Sequence, residues 1–99
     1  MKVGFIGYGL LGKILFQRFY KFNKKIKIYN RTKKKISSLN NENKVFDLNK
    51  IFKENKLIFL ILYDDKSLLN ILKKIDEIHL KNKILVNLTT ISYNASNYL

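Results

Sequence analysis

Apolar residues occur along this chain in two alternating textures, short near-continuous runs and longer stretches with apolar positions three or four apart. A short run bounded by polar residues predicts a strand buried on both faces of a parallel sheet, and the spaced stretches predict helices with one core face. Lys2 to Gly7 is the first strand, and Leu10 to about Phe22 the first helix, with Leu11, Ile14, Leu15, Phe19 and Phe22 on its apolar side. Ile26 and Ile28 alternate with lysines in a second strand, Lys25 to Tyr29. A helix from Thr32, as N-cap, to about Leu39 follows, then a polar loop, Asn40 to Asn43. Val45 and Phe46 make a short third strand, and Asp47 caps a brief helix through Lys53. Leu57 to Leu62 is an unbroken apolar run, the fourth and most central-looking strand. Asp64 and Asp65 lead into an amphipathic helix to about His79, with Leu68, Leu69, Leu72, Ile75 and Ile78 on one side. Lys83 to Leu88 is the fifth strand, followed by a hydroxyl-rich loop, Thr89 to Ser92, where Ser92 caps a helix barely begun at Leu99.

Strands joined by helical crossovers predict an α/β fold, a Rossmann-type parallel sheet of order 3-2-1-4-5, incomplete at its C-terminus. In such a sheet ligands bind beyond the carboxyl ends of the strands, where the order reverses. Gly7 to Gly12, Asn30 to Thr32, Leu62 to Asp65 and Thr89 to Ser92 are therefore expected around one cleft.

The first of these stretches carries the most chemistry. All four glycines of the chain lie within MKVGFIGYGLLG, and Gly7, Gly9 and Gly12 have the GxGxxG spacing between a strand and a helix. Gly7 makes the tight turn, Gly9 lets backbone N–H groups approach a pyrophosphate, and Gly12 lets the helix lie close to the sheet. The helix then points its unpaired N–H groups and positive dipole end at the phosphates. Tyr8, Leu10 and Leu11 share that loop and belong to the expected cofactor contact.

The end of the second strand selects the dinucleotide. An NAD site commonly has a carboxylate about twenty residues past the glycines to accept the ribose 2′-hydroxyl. This chain has Tyr29-Asn30-Arg31-Thr32 there, then Lys33, Lys34 and Lys35. An amide, a guanidinium and a hydroxyl suit a 2′-phosphate, which a carboxylate would repel, so NADP is favoured over NAD.

Composition narrows the remaining classes. A length of 99 residues holds one domain, and the absence of cysteine removes disulfides and thiolate chemistry. With a single histidine a metal centre is not expected. No apolar run approaches the ~20 residues of a membrane span, and no signal-peptide order precedes the first strand, which together point to the cytoplasm. The net charge of +13 suggests nucleic acid, but the lysines are spread over every segment alongside twelve asparagines and thirteen isoleucines. That is a compositional drift rather than a patch, and no specific nucleic-acid partner is expected. Asp64 and Asp65 suit a helix N-terminus better than an acid/base pair. His79 lies at that helix's far end, so no catalytic residue is assigned.

Four stretches, GFIGYGLLG at Gly4 to Gly12, YNRT at Tyr29 to Thr32, LILYDD at Leu60 to Asp65 and NLTTIS at Asn87 to Ser92, together resemble the N-terminal part of the β-hydroxyacid dehydrogenases. That group includes 3-hydroxyisobutyrate dehydrogenase, tartronate semialdehyde reductase and 6-phosphogluconate dehydrogenase. The resemblance implies that the glycine loop holds the pyrophosphate and that Asn30, Arg31 and Thr32 hold the 2′-phosphate. It also implies that Leu62 and Tyr63 line the cofactor and that Thr90 lies where nicotinamide and substrate meet. The chain departs from the family pattern at Leu11, where Met is usual, at Tyr63 and Tyr93, where Pro is usual, and at Asn87 and Thr89, where Asp and Ser are usual. The family's catalytic lysine and its all-helical domain, which completes the active site and the dimer, lie beyond the stretch matched here. The expectation is thus the NADP-binding portion of an oxidoreductase acting on a 3-hydroxyacid or its semialdehyde, inactive alone, with a homo-oligomer or a complementing chain as possible partners. The alternative is a stand-alone nucleotide-binding module. An unpaired outer edge on the fifth strand is expected in either case.

Overall fold

The computed structural model describes residues 1–89. Strands β1 (Val3–Ile6), β2 (Lys27–Tyr29), β3 (Leu57–Leu60) and β4 (Ile84–Asn87) alternate with helices α1 (Leu10–Tyr20), α2 (Leu48–Glu54) and α3 (Asp65–Lys74). The strands form one parallel sheet in the order β2-β1-β3-β4, with Gly4 opposite Lys27, Val3 opposite Leu57 and Leu57 opposite Ile84.

This is the expected topology with its outermost strand reduced. Val45 and Phe46 do not form a strand. Val45 N–H donates to Ile28 O at 2.9 Å, a single parallel bridge beside β2, before Asp47 starts α2. Two residues between a turn and a helix cap are too few to extend the ladder. At the opposite side β4 pairs with β3 alone among the described residues, leaving Ile84, Leu85 and Leu88 exposed.

Both faces of the central strand β1 are buried, with its side chains alternating between them. Val3 and Phe5 of β1 join Phe16, Ile26, Ile28 and Ile36 under α1, whereas Ile6 joins Ile58, Leu60 and the apolar sides of α2 and α3. Phe5 is the centre of the α1 side, stacked on Phe59 at 4.9 Å and edge-on to Phe16 at 5.7 Å.

Three helical expectations are corrected. α1 buries Gly12 and Phe16, whereas Leu11, Ile14 and Phe22 are exposed. The stretch after Thr32 is only a 3-10 turn, Lys33–Ile36, and Thr32 makes no side-chain cap. Three successive lysines and one buried residue, Ile36, give that segment an anchor but no apolar face. α3 stops at Lys74 and buries Leu68 and Ile71, with Ile75 extended and buried beyond its end. Ile78 is exposed, in a separate turn, Glu77–Leu80.

α2 and α3 begin as expected on aspartates. Asp47 accepts the Asn49 N–H at 3.0 Å and Asp64 accepts the Ser67 N–H at 2.9 Å. The Ser67 N–H, with the Ser67 hydroxyl second, holds the Asp64 carboxyl below its ordinary value of 3.8. Because the folded carboxyl titrates below its unfolded counterpart, the cap's stabilisation is complete above that ordinary value and is lost as pH falls through the folded one. Asn caps a helix as well as Asp but does not titrate. The expected result is that Asp64→Asn matches the unchanged chain near neutrality and loses less of its melting temperature as pH falls below the ordinary carboxyl value of 3.8. Circular dichroism melts from neutrality to below that value check it, and parallel curves for the two proteins would assign the acid loss to other groups.

Candidate functional site

At the carboxyl ends of the strands, between β1 and β3, lies a cleft of about 380 Å³. The reversal of strand order opens it, because the connections after β1 and β3 leave the sheet in opposite directions. A larger recess of about 870 Å³ sits at the other end of the sheet, lined by Lys2, Lys25, Lys27 and Lys50 with Glu42 and Glu54. Among the described residues no glycine loop and no helix N-terminus of the kind that receives a phosphate belongs to that recess, so the smaller cleft is the candidate site.

Its floor is the glycine loop. Gly7 has φ of +108°, and a Cβ there would lie 1.9 Å from the Ile61 carbonyl oxygen. A Cβ on Gly12 would lie 2.4 Å from the Gly7 carbonyl oxygen, so the start of α1 touches the turn directly. A Cβ on Gly9 would meet nothing within 4 Å. Gly9 is the N-cap of α1, without a side-chain cap and without an acidic residue in the first turn. Of the three α-helices described, α2 and α3 satisfy their own N-termini with a carboxylate and α1 leaves its N–H groups to the cleft.

The wall from β2 consists of Tyr29, Asn30, Arg31 and Thr32, with Lys35 from the following turn. Arg31 and Thr32 are exposed. The Tyr8 ring is buried edge-on to Phe16 at 5.9 Å, so Tyr8 offers the cleft its backbone rather than its phenol. Burial raises the pKa of that hydroxyl, opposed by its hydrogen bond with Gln17.

The opposite wall is Ile61, Leu62 and Tyr63 after β3, and Leu88 after β4. Thr89 holds this wall in place. Its hydroxyl accepts the Leu62 N–H at 2.8 Å and donates to Leu60 O at 3.3 Å, and its own N–H donates to Asn87 Oδ1 at 3.0 Å. The Thr89 side chain is therefore spent on the backbone. Tyr63 is 92% exposed.

Eleven of the twelve residues expected at a cofactor site, Gly7 to Gly12, Asn30 to Thr32, Leu62 and Tyr63, thus meet at one cleft. Thr90 and the cap expected at Ser92 lie outside the described residues. Sequence reading missed the contribution of α3, whose Ser67, Asn70, Ile71 and Lys74 also line the cleft. Their spacing of three, four and seven places them on one helical face, a signal hidden because polar helix residues look like a solvent face. No histidine or carboxylate lines the cleft among the described residues.

The family model for the NAD binding domain of 6-phosphogluconate dehydrogenase matches residues 2–99. The chain belongs to that family. It is an NAD(P)-binding domain of the oxidoreductases. Solved structures agree on the fold. A reductive aminase from Aspergillus terreus, in complex with NADPH and ethyl levulinate, is 19% identical with a TM-score of 0.86, over 98% of this chain and 34% of that one. An imine reductase from Myxococcus stipitatus in complex with NADP+ is 24% identical with a TM-score of 0.85, over 99% of this chain and 35% of that one. Its V8 variant in complex with NAD+ is 21% identical with a TM-score of 0.85, over 98% of this chain and 34% of that one. The chain thus spans about a third of the length of these structures. No curated protein matches it. Among the described residues no helix is long and apolar enough to cross a membrane.

Proposed function

We propose that the chain is the NADP-binding portion of an oxidoreductase that acts on a 3-hydroxyacid or the corresponding semialdehyde. The observation that carries the cofactor preference is the wall after β2, where Arg31, Thr32 and Lys35 line the cleft and, among the described residues, no carboxylate does. A guanidinium fork, a hydroxyl and an ammonium suit a phosphate dianion on the ribose.

The residues fit the dinucleotide in the rest of the cleft as well. The space above Gly9 is open, and the N–H groups of Leu10, Leu11 and Gly12 at the start of α1 are available to a pyrophosphate. Leu62 and Tyr63 supply an apolar wall. When bound, the dinucleotide supplies the hydride. The chain's own part is to bind and orient it. The substrate class rests on the four motifs at Gly4 to Gly12, Tyr29 to Thr32, Leu60 to Asp65 and Asn87 to Ser92.

Proton transfer is assigned to a group outside these residues. His79 sits in the turn after α3, at the end of the helix away from Asp64, and Asp64 is occupied as a cap. Binding without turnover is the expected behaviour of this portion alone, completed by a further domain or a partner chain. A free-standing nucleotide-binding module is the second reading, favoured by a cleft that holds no histidine or carboxylate among the described residues.

Arg31→Ala tests the cofactor preference. Loss of a charge-assisted hydrogen bond should weaken NADPH by roughly 1.5 to 3 kcal/mol and leave NADH almost unchanged. Isothermal titration of both cofactors measures the difference. Equal losses would place Arg31 away from the 2′-phosphate.

A further inference from the structure

Asn30 makes two hydrogen bonds that join separate parts of the cleft. Its Oδ1 accepts the Tyr8 N–H at 2.9 Å across 22 residues, and its Nδ2 donates to Thr32 O at 2.9 Å. One residue earlier on each side, the Gly7 N–H donates to Tyr29 O at 2.9 Å. Two consecutive N–H groups of the glycine loop are therefore held by two consecutive residues at the end of β2, first by backbone and then by a side chain. The side chain adds a rung to the β1–β2 ladder beyond the point where Gly7, at φ of +108°, turns the chain away.

The two bonds also fix which way the amide faces. Turning it over would set an NH₂ against the Tyr8 N–H and a carbonyl against the Thr32 carbonyl, replacing two attractions with two repulsions. The acceptor oxygen is spent on the glycine loop, and the nitrogen points back along its own turn. A residue placed at the 2′-phosphate end of the cleft is thus engaged with the pyrophosphate end.

We propose that Asn30 is a positioning residue: it locks the glycine loop and the Arg31–Thr32 turn into one preformed unit, so that the two phosphate-binding ends of the cleft keep a fixed separation. This rests on the dinucleotide reading given above. It separates Asn30 from Arg31, whose exposed guanidinium is free to meet a ligand. A lock of this kind acts on every dinucleotide, with or without the extra phosphate, whereas a phosphate ligand acts on NADPH alone. Preformed geometry of this sort raises affinity by reducing what must be ordered on binding.

The test uses the chain with Asn30→Ala and Asn30→Asp, titrated with NADPH and NADH, together with amide hydrogen exchange of the ligand-free proteins followed by NMR. Asn30→Ala is expected to weaken both cofactors by a similar factor, about tenfold or more. It is also expected to speed exchange at Tyr8 while the β1 amides stay protected. Asn30→Asp retains an acceptor for the Tyr8 N–H and is expected to keep that amide slow, a readout that remains if the alanine variant folds poorly. A loss confined to NADPH would make Asn30 a phosphate ligand and overturn the proposal. Unchanged Tyr8 exchange in the alanine variant would overturn it too. If the unchanged chain bound neither cofactor, the dinucleotide reading would fall, and Tyr8 exchange would still decide whether the lock exists.

Discussion

Gly7→Ala is expected to cost about 4 kcal/mol or more, close to the whole stability of a small domain. Two penalties act together. A side chain at φ of +108° is in a region that L residues rarely adopt, which alone costs roughly 1–3 kcal/mol. The added Cβ would also stand 1.9 Å from the Ile61 carbonyl oxygen, so backbone must move. That backbone is held on both sides, by Ile61 N–H to Ile6 O at 2.9 Å and by Leu62 N–H to the Thr89 hydroxyl at 2.8 Å. Relief would therefore break the junction between β1, β3 and β4. Urea unfolding followed by circular dichroism measures the loss, and a midpoint near that of the unchanged chain would show that the turn adapts.

Gly9→Val has the opposite division of effects. Its backbone is extended, with φ of −76°, and its missing Cβ faces open space, so the unliganded chain accommodates the side chain. The cost to folding is that of a poorer N-cap, about 1 kcal/mol. The isopropyl group, however, fills the approach to the N–H groups of α1, where a pyrophosphate has to sit within hydrogen-bond distance. NADPH and NADH affinity should both fall below detection by isothermal titration while the melting curve shifts by only a few degrees. Retained affinity would mean that the glycines serve the turn and nothing else. Gly7 and Gly12 make room for the protein's own backbone, whereas the space beside Gly9 is open.

Much of this site was legible because glycine positions and buried parallel strands leave sharp marks in a sequence. The runs at Lys2 to Gly7 and Leu57 to Leu62 became β1 and β3, somewhat shorter, and the stretches following β1, β2 and β3 met at one cleft. The buried face of α1 was not legible, because Leu10, Leu11, Ile14, Leu15, Phe16, Phe19 and Tyr20 occupy nearly every phase of the helix. Of these side chains Phe16 is the buried one, packed against Phe5 and Tyr8. The strand expected at Val45 and Phe46 was too short for periodicity to test. The work of Asn30 depends on a contact 22 residues away, which no local pattern encodes.

The strand order also governs how this sheet can be assembled as the chain is synthesised. β1 is made first, yet it lies at the centre, with neighbours that are both made later. Its partner β2 follows after some twenty residues, but Leu57, which pairs with Val3, comes only about fifty residues after Val3. At ~5–20 residues per second, the ribosome keeps the apolar segment around Phe5 without its second neighbour for roughly 3 to 10 seconds. During that interval α1 is the cover at hand, since it is complete soon after β1 and its Phe16 already reaches Phe5. The α1 face of the core can therefore form as a local β1-α1-β2 unit, while the face under α2 and α3 has to wait for β3.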